Sequence, residues 1–137
     1  MEISGSCYCN AVQFKLNCEP KAVVNCHCNF CRKHSGAAFS TFVVVPETAL
    51  EIIAGQDSIV RFSFKADAHK HFCKHCGSPV FNQNARYPGL RMIYLGVISE
   101  PRDFSPVANI YCESQLPWIR GVAGIRSFAQ GRANQPE

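Results

Sequence analysis

Short stretches of this chain alternate apolar and polar residues with a period of two. The clearest are 11–16 and 59–64, in which apolar side chains occupy every second position. Such alternation predicts β-strands that turn one face toward a core. Further runs rich in β-branched, aromatic or aliphatic residues predict strands at 39–45, 50–54, 92–97 and 108–112.

Turn-forming residues separate these runs. They are Pro46, Gly55-Gln56-Asp57, Pro88-Gly89 and Pro101-Arg102-Asp103. No segment keeps an apolar stripe at the helical period over three turns, so any helix is expected to be short. The best candidate begins near Cys28 and ends at Gly36. The pattern therefore predicts a mainly β fold with at most short helices.

The length of 137 residues fits a single domain spanning 1–137, with a frayed polar tail at 130–137. A chain of this size buries a real core, so its nine cysteines are not needed as disulfide staples. The first six residues do not resemble a signal peptide, and no apolar run approaches the roughly 20 residues of a membrane span. These features predict a cytoplasmic protein outside membranes, in which clustered cysteines bind metal.

The charged residues say little in favour of a nucleic-acid partner. The chain has fourteen Lys and Arg residues and ten Asp and Glu residues, which gives a formal net charge of +4. Seven thiolates on two zinc ions would cancel most of that charge, and the basic residues are scattered rather than arranged in a stripe. Nothing in the pattern predicts an oligomeric state.

Seven cysteines fall in three clusters. These are Cys7-x-Cys9, Cys26-x-Cys28-x2-Cys31 and Cys73-x2-Cys76. The last is typical of a zinc knuckle, because two thiolates around a tight turn can bind one face of a tetrahedral ion and Gly77 suits the turn. Its two remaining positions could be filled by Cys7 and Cys9, which predicts a closed, structural zinc site with four thiolates.

The middle cluster offers three thiolates and no obvious fourth ligand. Three protein ligands with one open position are typical of catalytic zinc. His27 lies between two ligands and is expected to point away from the metal, whereas His34 could reach it only if the chain folded back. A different pairing is also open at this point: a cysteine of the middle cluster could join Cys73 and Cys76. Iron–sulfur motifs use other spacings.

The remaining candidates are read as structural. Cys18 and Cys112 stand alone and are predicted to be small buried apolar side chains. His75 lies inside the knuckle and is expected to be exposed. Trp118, the only tryptophan, fits either the core or the wall of a substrate pocket.

Taken together, these motifs resemble the glutathione-dependent formaldehyde-activating enzyme (GFA) family, which shares its domain with the centromere protein V group. The likeness runs from about Gly5 to Phe128. The segments that carry it are GSCYCNAVQF (5–14), CHCNFCRK (26–33), GAAF (36–39), FCKHCGSP (72–79) and IYCESQLPW (110–118).

The resemblance implies an Mss4-like fold in which zinc holds β-sheets together. It implies a structural zinc on Cys7, Cys9, Cys73 and Cys76, and a catalytic zinc on Cys26, Cys28 and Cys31. In the family, the open position of the catalytic ion is thought to take the thiol of glutathione, which adds to formaldehyde to give S-hydroxymethylglutathione, a carbon–sulfur lyase reaction. Relatives often carry a histidine where this chain has Asn109, which cannot shuttle a proton near neutral pH.

Two basic residues follow the middle cluster directly. Glutathione has two carboxylates, so Arg32 and Lys33 are candidate glutathione contacts. The main alternative to an enzyme is a non-catalytic zinc module that binds a protein partner, because fold does not settle function.

Overall fold

The computed structural model describes residues 2–131, which form ten β-strands, one α-helix and several 3-10 turns. The strands are β1 (Ile3–Ser6), β2 (Gln13–Leu16), β3 (Ala22–Cys26), β4 (Ser40–Pro46), β5 (Leu50–Ala54), β6 (Ile59–Lys65), β7 (Ala68–Cys73), β8 (Pro79–Asn84), β9 (Leu90–Tyr94) and β10 (Ala108–Ile110). The helix, α1, spans Asn29–Ser35. The 3-10 turns are Glu47–Ala49, Gln56–Ser58, Leu95–Val97, Pro101–Asp103, Cys112–Ser114 and Ile119–Gly124.

The strands form two sheets. The small sheet has the order β1-β2-β5, and the large sheet has the order β10-β3-β4-β9-β8-β7-β6. All pairings are antiparallel except that of β10 with β3, which is parallel and sets Ile110 opposite Cys26. This parallel pair brings the chain after β10 close to the middle cysteine cluster.

The main core lies between the two sheets. Phe14 and Leu16 of the small sheet pack with Val43, Val45 and Ile93 of the large one, and each of these side chains is at most 1% exposed. Full burial of such a side chain contributes roughly 1.5–3 kcal/mol. The alternation of β4 explains the second face of the large sheet, because Val43 and Val45 face the main core whereas Phe42 faces the other side and joins a separate apolar cluster with Cys26 and Cys31.

The mainly β class and the short helix predicted from the sequence are confirmed. The helix is capped by Cys28 at its start and by Gly36 in the left-handed conformation at its end. The strand predicted at 92–97 is shifted, since β9 ends at Tyr94 and a 3-10 turn follows; that predicted at 108–112 ends at Ile110. No bounds were predicted for strands β1, β3, β7 or β8.

The predictions for the two isolated cysteines, Cys18 and Cys112, have different outcomes. Cys18 is partly buried against the main core, but Cys112 is exposed, so the prediction that it is buried is wrong. The exposed β10 and the 3-10 turns that follow it leave Cys112 without a core to enter. Of the tail predicted at 130–137, residues 132–137 lie outside the described part of the chain. Within residues 2–131, no helix has the length and apolar character needed to cross a membrane.

Candidate active site

The sulfur atoms of Cys7, Cys9, Cys73 and Cys76 all lie within 4.8 Å of one another. The first pair follows β1, and the second pair begins at the end of β7. Two loops from different sheets therefore meet at this group, which we call the four-cysteine site. Cys7 and Cys73 are buried, whereas Cys9 is exposed and Cys76 is intermediate.

Each of the two loops is a tight turn that aims backbone N–H groups at sulfur. The N–H of Val12 donates to Cys7 Sγ at 3.3 Å, and the N–H of His75 donates to Cys73 Sγ at 3.4 Å. Gly77 reverses the second turn with a φ of 76°, a conformation that glycine adopts without steric cost.

The spacing of the sulfurs fits a tetrahedral metal ion. Cys7 Sγ lies 3.6 Å from Cys9 Sγ, and Cys9 Sγ lies 3.7 Å from Cys73 Sγ. A tetrahedral zinc with Zn–S bonds near 2.3 Å sets its sulfurs about 3.8 Å apart, whereas a disulfide needs about 2.05 Å. The donor set therefore suits zinc and does not form disulfides in this structure.

Cys26, Cys28 and Cys31 form a second group, which we call the three-cysteine site. Their sulfurs also lie within 4.8 Å of one another, and Cys26 Sγ is 3.5 Å from Cys28 Sγ. Among the described residues, no histidine, further cysteine or carboxylate joins the group as a fourth potential ligand. The N–H of Cys31 donates to Cys28 Sγ at 3.3 Å, so the sulfur that caps α1 belongs to the site itself.

Cys26 and Cys31 share protons unequally. The hydrogen bond from Cys31 lowers the pKa of Cys26 to about 6, and the same contact raises the pKa of Cys31. The Cys31 thiol thus stabilises a Cys26 thiolate, because two negative charges this close repel one another. A divalent cation removes that conflict, so this donor set also fits a metal.

The histidine between the ligands points away from the sulfurs, as the sequence predicts. The His27 side chain is fully buried and packs on Phe39, with ring centroids 4.9 Å apart. Its Nε2 lies 3.1 Å from Asn109 Oδ1, which also accepts a hydrogen bond from Asn25 Nδ2 at 3.1 Å. Asn109 thus contacts the loop that carries Cys26 and Cys28, on the side away from their sulfurs.

His34 does not fold back onto the sulfurs either. Its ring packs on Phe62 and Phe64, with centroids 5.2 and 4.4 Å away. Of the other candidates, His75 is exposed as expected, and Trp118 is 55% exposed and therefore not part of the core.

A cavity of about 580 Å³ opens beside the three-cysteine site. Its floor is the second face of the large sheet, and its walls come from α1, from the end of β6 and from the turns after β8 and β10. The lining includes all three cysteines, apolar side chains such as Phe30 and Met92, and the amide side chain of Asn82. A largely apolar cavity with a few polar groups is typical of a small-molecule site.

Arg32 and Lys33 do not line this cavity. The Arg32 guanidinium donates to the carbonyl oxygens of His27 at 3.0 Å and Ser114 at 2.5 Å, and it also contacts Asn29 Oδ1. Arg32 therefore fastens the start of α1 to the turn after β10. Lys33 is exposed on the helix, so the structure lends no support to either residue as a glutathione contact.

The basic residues that do line the cavity are Arg86 and Lys65. Sequence reasoning did not find them, because Lys65 ends β6 and Arg86 lies in the turn after β8, and no cysteine motif includes either residue. Arg86 donates to the hydroxyl of Tyr111 at 2.9 Å, and that hydroxyl lies 2.9 Å from the hydroxyl of Tyr87. The only local signal was the turn at Pro88-Gly89, which implies nothing about a cavity.

Comparison with known proteins bears on this arrangement. The family model described as glutathione-dependent formaldehyde-activating enzyme matches residues 2–114, which include both cysteine groups. The chain belongs to the GFA family. The GFA match also ends beyond Asn109 and Tyr111, so it includes most of the segment that contacts His27 and lines the cavity.

Curated relatives carry the same description as a provisional name. A Halomonas elongata protein is 23% identical over 87% of this chain and 80% of its own length. Proteins from Aspergillus terreus and Penicillium rubens are 31% and 27% identical over 58% and 69% of this chain. The matched parts are only 44% and 52% of those two fungal proteins, which therefore extend well beyond this GFA chain.

A Rhodobacter sphaeroides protein of known crystal structure shares the fold. It superimposes with a TM-score of 0.64 at 22% identity, over 77% of this chain and 98% of its own. At this identity the likeness concerns architecture alone.

Proposed function

We propose that this chain is a zinc enzyme that joins a thiol, most simply glutathione, to formaldehyde and so forms S-hydroxymethylglutathione. The observation that carries the proposal is the three-cysteine site, whose sulfurs line a cavity and have no fourth protein ligand among the described residues. Three ligands and an accessible fourth position are typical of catalytic zinc. The four-cysteine site would hold a second, structural zinc.

The reaction needs a thiolate and an aldehyde carbon brought together. Zinc, when bound, lowers the pKa of a thiol in its fourth position and fixes the sulfur in place. The sulfur electron pair forms the C–S bond, the carbonyl π electrons move to oxygen, and that oxygen takes up a proton equivalent to the one the thiol lost. Protons and charge balance without a redox partner.

The residues of the chain supply the surroundings for this step. Phe42 and Met92 form part of the cavity floor, and these apolar side chains limit the water around the aldehyde. Asn82 lines the cavity, and its Oδ1 accepts a hydrogen bond from the Tyr94 hydroxyl at 3.1 Å. This bond fixes the amide, whose N–H groups remain suited to stabilise a developing alkoxide.

All nine cysteines are free, two of them outside both groups. Free clustered thiols persist in reducing compartments, so we further propose that the protein works in the cytoplasm.

The test is a titration of cobalt-substituted protein with glutathione, followed by a formaldehyde assay of the zinc form by NMR. A fourth thiolate on cobalt should strengthen the sulfur-to-cobalt charge-transfer absorption, and product should form faster than in buffer. Cys28→Ser should abolish both signals, whereas Cys112→Ser, which removes an exposed cysteine outside both groups, should preserve them. An unchanged spectrum in the wild-type protein would count against the enzyme and in favour of a zinc module that binds a protein.

A further inference from the structure

Arg86 is a cationic residue of the cavity without an acidic partner. Within residues 2–131 the ion pairs are Lys15 with Glu2 and Arg91 with Glu47, so no carboxylate lies within 4 Å of Arg86. Glu113 lines the same cavity but lies beyond that distance. An arginine at a cavity wall with no internal counter-charge is available to an anionic ligand.

Two tyrosines orient this guanidinium. Arg86 Nη1 donates to the Tyr111 hydroxyl at 2.9 Å, and the Tyr111 and Tyr87 hydroxyls lie 2.9 Å apart. The hydrogen bond with Tyr111 raises the pKa of Tyr87, as expected when the Tyr87 hydroxyl donates to Tyr111. With one nitrogen of Arg86 engaged by Tyr111, its other N–H groups are left as donors for a carboxylate.

Tyr111 holds a backbone conformation that is unfavourable for an aromatic residue. Its φ is 57° and its ψ is 44°, in the left-handed region. Such a conformation costs about 1–2 kcal/mol, and strain of this kind concentrates at functional sites. It turns the side chain from the end of β10 toward the turn after β8, where Arg86 lies.

The sheet register separates Arg86 from the cysteines along the cavity. Cys26 lies opposite Ser40 at one end of β4, and Leu90, which follows the turn that carries Arg86, lies opposite Pro46 at the other end. Six residues of strand span about 20 Å. The side chains of Arg86 and of the cysteines shorten this distance, but a ligand that contacts both ends of the cavity must be extended.

From this geometry we infer that Arg86, with Tyr87 and Tyr111, forms a carboxylate subsite that selects an extended, peptide-sized acidic thiol. The inference rests on the proposed function and adds the feature that defines its substrate class. A free cysteine carries its carboxylate next to its sulfur and cannot reach both ends. An extended tripeptide spans about 10 Å, so a ligand of that size can extend from the cysteines along the cavity toward Arg86.

The test compares Arg86→Gln with the wild-type zinc protein by calorimetry, using glutathione, S-methylglutathione and 2-mercaptoethanol. Loss of a charge-assisted hydrogen bond should weaken glutathione and S-methylglutathione about tenfold to hundredfold, and 2-mercaptoethanol should be unaffected. Arg86→Lys should recover part of the loss. Arg61→Gln is the matched control, because Arg61 is exposed on β6 and does not line the cavity.

The outcomes separate this inference from the proposed function. Unchanged binding of glutathione to Arg86→Gln would overturn the subsite, as would an equal loss for 2-mercaptoethanol, which would mark a structural role. S-methylglutathione has no free thiol, so its binding should survive in Cys28→Ser and depend on Arg86. If no thiol alters the spectrum of the cobalt protein while S-methylglutathione still requires Arg86, the subsite stands and the zinc-thiol function fails.

Discussion

At the scale of single residues, the cysteine sites depend on backbone conformation as much as on sulfur. In the four-cysteine site, each pair of sulfurs lies on a short turn in which a backbone N–H donates to one of the two sulfurs. Gly77 and Asn10 adopt the left-handed conformation that closes these turns. The segment after Cys9 also has a close neighbour. A Cβ built on Gly55 would lie 1.9 Å from the carbonyl oxygen of Ala11.

Gly55→Ala should therefore destabilise the fold near the four-cysteine site. The new methyl group meets rigid backbone, and the φ of 82° disfavours alanine, so we expect a loss of about 3 kcal/mol or more in the free energy of unfolding. Gly89→Ala is the control. Gly89 has a φ of 74° but no atom within 4 Å of an added Cβ, so its loss should stay near 1 kcal/mol. Denaturant unfolding measures both, and equal losses would contradict the steric argument.

At the scale of elements, the two cysteine groups have different structural duties. The four-cysteine site joins the loop after β1 of the small sheet to the turn after β7 of the large sheet. The three-cysteine site lies within one connection, from the end of β3 to the first turn of α1. Cys28 also caps that helix, and serine is among the best residues for this position.

The variants Cys28→Ser and Cys76→Ser should consequently differ in melting temperature. Serine can keep the helix cap at position 28, so Cys28→Ser should lose one zinc ion with little change in melting temperature. Cys76→Ser weakens the link between sheets, and structural zinc contributes folding free energy, so the melting temperature should fall by ten degrees or more, an order-of-magnitude expectation from a loss of several kcal/mol. Metal analysis with thermal unfolding checks both, and an equal drop for the two variants would refute the division of duties.

The sequence indicated the cysteine clusters better than the cavity. Spacings such as Cys73-x2-Cys76 are local and identify each cluster, but they left open which clusters share an ion. The alternation at 59–64 predicted β6 almost to the residue. No bounds were predicted for β7, because its histidines and lysine hide the alternation. Arg86 and Tyr111 meet only through the tertiary fold, 25 residues apart, so no local pattern could place them in one site.

At the scale of the whole molecule, the two proposed ions differ in the number of protein ligands. The three-cysteine site offers three sulfurs beside a cavity of about 580 Å³, whereas the four-cysteine site offers four sulfurs from two loops. A chelator should remove the first ion more easily, because the protein leaves one of its coordination positions open. The fold should respond mainly to loss of the second, since that ion links the two sheets.

We expect metal analysis to find two zinc ions per chain, released by a chelator in two phases. The faster phase should leave the circular dichroism spectrum unchanged, and the slower should coincide with unfolding. A metallochromic dye follows zinc release while circular dichroism follows the fold. One ion per chain, or a single phase that unfolds the protein, would rule out the two-site arrangement.

The long separation between the two halves of the four-cysteine site also has a consequence for biosynthesis. Cys9 and Cys73 are 64 residues apart, and closing a loop of that length costs about 4 kcal/mol of chain entropy. On the ribosome, Cys7 and Cys9 emerge long before their partners, so the thiols of this half of the site stay exposed in the nascent chain until Cys73 and Cys76 follow. Supply of zinc late in synthesis, and protection of those thiols from oxidants before it, would then govern how much protein matures.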